Sequence, residues 1–86
     1  MIVITLHDEV ADTWSNPVVA NNEASARRDF ESACADSRSL IGQHPTDFKL
    51  FAIADWQPSS EPGALPHFKA FDSFKFLASG VPHEQK

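Results

Sequence analysis

The chain has 86 residues, 42% of them hydrophobic, and a formal net charge of −5. That length makes one domain with one modest core, which leaves little room for a deep enclosed active site. The apolar fraction excludes general disorder, and the acidic balance excludes an arginine-rich peptide that neutralises DNA by charge alone.

The charge is uneven. Residues 1–43 carry seven acids and three bases, and residues 44–86 carry five acids and four bases. Contact with a polyanion is therefore expected in the second half. Cys34 is the single cysteine, so no internal disulfide forms and a multi-cysteine metal site is excluded. Met1 to Leu6 is apolar but too short for a signal sequence, and no apolar run reaches the ~20 residues of a membrane helix.

Ile2 to His7 is β-branched and apolar, which predicts a strand with Ile2, Ile4 and Leu6 on one face. Asp8 to Pro17 mixes acids with turn formers, and Asn16-Pro17 marks a bend. Pro17 to Ala20 reads as a short second strand, antiparallel to the first, with proline at its start.

Asn21 or Asn22 then caps a helix, and Glu23 sits near the positive end of its dipole. Ala26, Phe30, Ala33 and Cys34 form its apolar stripe. Cys34 on that stripe reads as a small buried thiol. Glu23–Arg27 and Arg27–Glu31 are i,i+4 pairs. The pattern fades at Asp36, and Gly42 and Pro45 close the segment.

Phe48 to Trp56 predicts the central strand. Phe48, Leu50, Ala52, Ala54 and Trp56 share one face, and Lys49, Phe51, Ile53 and Asp55 share the other. Both faces carry large apolar groups, so both need cover. The helix supplies one side, and a second copy of the protein is a candidate for the other. Gln57 to Pro66 is a loop with three prolines and a glycine. His67 to Leu77 reads as a strand kinked near Asp72-Ser73. Residues 79–86 read as a flexible tail. The fold class is α+β: an antiparallel sheet of three to four strands in ββαββ order on one helix, with residues 1–78 as the domain.

His44-Pro45-x-Asp47-Phe48-x-Leu50-Phe51 resembles a block in the small nonstructural protein of gokushovirus-like Microviridae bacteriophages. The surrounding order is similar as well. A first strand ends in Asp8, Asn16-Pro17 follows, and the helix carries Arg28-Asp29-Phe30 before Asp36 and Ser39. The likeness spans residues 3–57. Val18-Val19 stands where that family often has aromatics, and the C-terminal phenylalanine cluster has no counterpart. The resemblance implies a protein of the host cytoplasm acting where single-stranded genome replication passes to packaging. It supplies no catalytic residues and no cofactor.

The chemistry of the residues is equally sparse. His44 with Asp47 has the composition of a base and its orienter, but a turn entering a strand uses the same residues. His7, His44, His67 and His83 include no pair at i,i+3 or i+4, so no metal is expected. No enzyme activity is expected. Phe68, Lys69, Phe71, Phe74 and Lys75 interleave aromatics with lysines, a composition suited to stacking bases and neutralising phosphates. Arg27 and Arg28 add a second basic spot. The expected function is binding of single-stranded DNA by these residues, by a protein that self-associates into a homo-oligomer and avoids membranes. The alternative is a protein-interaction module contacting phage replication or capsid-assembly proteins without nucleic acid.

Overall fold

In the computed structural model, which describes residues 1–82, the long strand β4 (Phe48–Gln57) lies between β1 (Ile2–Asp8) and β5 (His67–Ser79). All pairings are antiparallel. Ile4 and Leu6 of β1 stand opposite Ala52 and Leu50, which places the apolar stripe of each strand on the same face. Phe48, Leu50, Ala52 and Ala54 are buried there.

The sheet has five strands, not three to four. The extra strand is β2 (Thr13–Trp14), inside the segment read as a turn. It and β3 (Val18–Ala20) both pair with β1, at opposite ends of the same edge. They are one edge strand interrupted at Ser15-Asn16-Pro17. Ser15 holds the break together: its N–H donates to the Leu6 carbonyl at 2.8 Å and its hydroxyl accepts the Leu6 N–H at 2.9 Å. Buried Thr5 donates its hydroxyl to the Ser15 carbonyl at 2.8 Å. The β1–β2 turn is wound around Asp8, whose carboxylate accepts the N–H groups of Val10 and Ala11. Asp12 takes a positive φ of 54°, a conformation its short polar side chain tolerates.

Helix α1 (Glu23–Ala35) starts at Asn22. The Asn22 side chain accepts the Ser25 N–H at 2.8 Å, and the Ser25 hydroxyl accepts the Asn22 N–H at 3.3 Å. This reciprocal box satisfies two otherwise free donors. The helix ends at Asp36, as its fading apolar pattern predicts. Ala26, Phe30 and Cys34 face the sheet and form the core with Phe48, Leu50, Ala52 and Leu77. A short helix α2 (Leu40–Gln43) and a 3-10 turn (Pro45–Asp47) then lead into β4. A Cβ on Gly42 would overlap the Asp36 carbonyl oxygen, so glycine permits this tight return.

The kink expected near Asp72-Ser73 is a large bulge. Ala52 pairs with Lys75 and Ala54 with Ala70, so residues 71–74 stand against Ile53 alone. Ser79 and Gly80, read from the sequence as the start of the tail, are held by the sheet. Ser79 pairs with Lys49, and Gly80 is buried with its N–H donating to the Phe48 carbonyl at 2.9 Å. Residues 83–86, the rest of that tail, lie outside the described residues.

Candidate functional site

Helix α1 packs on one face of the sheet. The other face carries a cluster of the chain's own aromatic side chains. Trp14 leans over from β2, with its ring 5.3 Å from Phe51 and 5.4 Å from Phe74. Phe76 stands edge-on to Phe51 at 5.7 Å, and His7 stacks on Trp14 at 4.4 Å. The β5 bulge makes this cluster possible, because it brings Phe74 to Trp14 across the two strands between them. Part of the cover for Phe51 thus comes from the same molecule.

The cluster is closed at its base and open on top. Trp14, Phe74 and Phe76 remain 47%, 50% and 52% exposed. Edge-to-face packing fixes ring orientations while leaving part of each ring free. Exposed apolar surface that is contiguous, unlike singly scattered residues, is the kind that interaction sites use.

The residues expected to bind nucleic acid do not share one surface. Register pairs Phe68 with Trp56, on the helix side, and Lys69 with Asp55, on the aromatic side. Phe71 is half-buried against the core. Lys75 also faces the helix side and donates to Glu23 Oε2 at 2.6 Å. Arg27 reaches over the core to donate Nε–H to the Leu77 carbonyl at 3.2 Å, and its other end meets Glu23 at 3.4 Å. The expected Arg27–Glu31 pair gives way to this longer-range contact. Arg28 is exposed on α1. From the predicted set, only Phe74 and Lys69 lie on the aromatic face. Trp14, Phe51, Phe76 and His7 complete it.

Cations are scarce around the cluster. Lys49 donates to Glu9 at 2.8 Å, and His7 Nε2 lies 3.2 Å from Asp12. Among the described residues, Arg28 and Lys69 are the Lys and Arg side chains outside an ion pair.

On the opposite face, the hydrogen bond from Lys75 holds the Glu23 carboxyl below its ordinary range. Burial works against this, and the charges of Lys75 and Arg27 assist. A depressed carboxyl contributes stability above its unfolded-state pKa and loses it as pH falls through the folded value. Glu23→Gln is therefore expected to lower the melting temperature at pH 7. That deficit should vanish once acid has protonated Glu23 in the folded protein. Paired thermal melts from pH 7 to pH 2 check this.

His44 and Asp47 form a backbone turn, with the Asp47 N–H donating to the His44 carbonyl at 3.1 Å. No side-chain hydrogen bond joins them among the described residues. Nor do three His, Cys, Asp or Glu side chains gather there as a metal site. His83 lies outside the described residues. No helix among them is long and apolar enough to cross a membrane.

The family model described as Phage ORF5 protein matches residues 1–65. The chain belongs to that family. It is a bacteriophage protein, as the His44–Phe51 block suggested. No curated protein and no solved structure matches it. The matched stretch holds β1 to β4 and ends before β5. His7, Trp14 and Phe51 fall inside it, whereas Lys69, Phe74 and Phe76 fall beyond it.

Proposed function

We propose that this phage protein is a nonenzymatic, nonstructural accessory protein of a gokushovirus-like Microviridae phage. It binds single-stranded DNA where genome replication passes to packaging. The observation that carries the reading is the half-exposed aromatic cluster on an open sheet face. Unpaired bases stack on such rings at ~1–3 kcal/mol each, whatever their sequence, because every base has a π-face. A duplex hides those faces, so single strands are preferred.

The sparse cations set the character of the binding. Lys49 stands opposite His7 but is shared with Glu9, and Lys69, opposite Asp55 further along the face, makes no ion pair among the described residues. Two phosphate contacts give a log–log salt slope of about −1.4 for a single strand. Stacking rather than ion release then dominates the affinity. The expected result is anisotropy gain by a fluorescent oligothymidylate at low salt, with quenching of Trp14 and a shallow salt slope. Trp14→Ala or Phe74→Ala should weaken binding roughly 5- to 150-fold, the range of one lost stack. Melting curves recorded beside the titrations separate lost contact from lost fold. An oligonucleotide that shows no anisotropy change at low salt removes the DNA reading.

A further inference from the structure

A second apolar surface lies on the other side of the molecule. It is a groove of about 220 Å³ between α1 and the broken edge of the sheet, lined by Ile4, Leu6, Val18, Phe30, Ile41 and Leu50. The groove exists for two reasons. The edge strand is interrupted at Ser15-Asn16-Pro17, so no continuous chain covers Ile4 and Leu6. Helix α1 is tied by Arg27 and Glu23 toward β5, away from that edge. Past Leu6 and Ile41 the groove opens into a second hollow of about 380 Å³, and this one shares Leu40 and Phe48 with a third beside Asp8.

The charges along the strip have one sign. Asp29, Asp8 and Asp47 line it; among the described residues no lysine or arginine does, and His44 at the far end is the one basic side chain. Asp29 makes no ion pair among the described residues. An apolar floor with carboxylates beside it repels phosphate and suits apolar residues interspersed with lysine or arginine. Val18 and Leu40 stand exposed toward its two ends.

We propose that this strip docks a segment of another protein in which apolar side chains alternate with basic ones. The apolar side chains fill the hollows and the basic ones meet Asp29 and Asp8. The first hollow lies on the helix side, and the strip meets the aromatic face at Trp14, which lines the second hollow.

The probe is a synthetic Leu-Lys-Leu-Lys-Leu-Lys-Leu peptide titrated into the methyl-labelled full chain. The expected result is saturable shifts of the Ile4, Leu6, Val18 and Ile41 methyls, with those of Ile53 on the aromatic side unmoved. Asp29→Lys, an exposed helix position, should weaken binding roughly fivefold, the upper worth of one exposed ion pair. A Leu-Glu peptide of the same length should not bind. Three outcomes overturn the proposal. The shifts fall on the aromatic side or nowhere; the same methyls move on simple dilution, which makes a second copy the occupant; or an oligonucleotide moves them.

Discussion

Phe30→Ala is expected to cost about 3–5 kcal/mol, the range for removing a buried aromatic ring. Phe30 is 5% exposed and is the one large side chain that α1 puts into the buried core. It packs in one cluster with Ala26 and Cys34 of the helix and with Phe48, Leu50, Ala52 and Leu77 of the sheet. How far those sheet side chains relax into the vacated space sets where in that range the cost falls. A domain of this length has a total stability of only ~4–13 kcal/mol. The variant should therefore be largely unfolded at moderate urea. Phe30→Leu, which keeps most of the volume, should lose far less. Urea midpoints of the three proteins measure this directly. Cys34 supplies a second readout. Burial pushes its thiol pKa up, so the folded protein should react slowly with a thiol reagent and Phe30→Ala quickly. A loss under about 1 kcal/mol would mean that α1 does not rest on β4 through Phe30.

That helix-on-strand contact was legible in the sequence, because both partners advertise it locally. The spacing of Ala26, Phe30 and Cys34 has a helix period, and Phe48 to Ala54 alternates at the strand period. The Asn22 cap, the stop at Asp36 and the proline opening β3 are equally local. The kink in β5 was visible where Asp72-Ser73 breaks the alternation between Phe71 and Phe74. The aromatic face was not visible as a unit, for a physical reason. Its rings come from residues 7, 14, 51, 74 and 76, joined only when the bulge swings Phe74 over the sheet. Trp14 sits among turn formers, where no periodicity marks it as a strand residue. Lysines adjacent to phenylalanines looked like one binding surface. In an extended chain adjacent residues point to opposite faces, and Lys75 and Phe74 are so divided.

The two faces of the sheet differ in what they can hold. The aromatic face presents ring surface with few charges, and the groove beside α1 presents apolar walls with carboxylates. Among the described residues, neither gathers three His, Cys, Asp or Glu side chains as a metal site. The strand β4 supports each, with Phe51 on one side and Leu50 on the other. A substitution that loosens β4 would therefore weaken both sites together, and Trp14→Ala touches both as well, whereas Asp29→Lys should affect the groove alone.

Gly80→Ala is the second change expected to have a large effect, at a position that reads as the start of a polar tail. Gly80 is buried, and its N–H closes the end of the β4–β5 pairing on the Phe48 carbonyl at 2.9 Å. A Cβ there would overlap the carbonyl oxygen of buried Pro45 and lie 3.3 Å from the Phe48 carbonyl oxygen. Both obstacles are backbone, so no flexible side chain can turn aside. The Pro45 carbonyl also accepts the Phe48 N–H that closes the 3-10 turn into β4. A methyl group would therefore strain the turn and the strand end at once. Overpacking typically costs about 1–3 kcal/mol, and this clash against rigid backbone belongs at the top of that range or above it. Gly80→Ala should lower the urea midpoint clearly and raise hydrogen exchange at the Gly80 and Phe48 amides first. Ser79→Ala, one residue earlier on an exposed position, is the control and should leave both unchanged. An alanine at 80 that the protein accepts without loss would mean the chain leaves the sheet before Gly80, as the tail composition alone suggests.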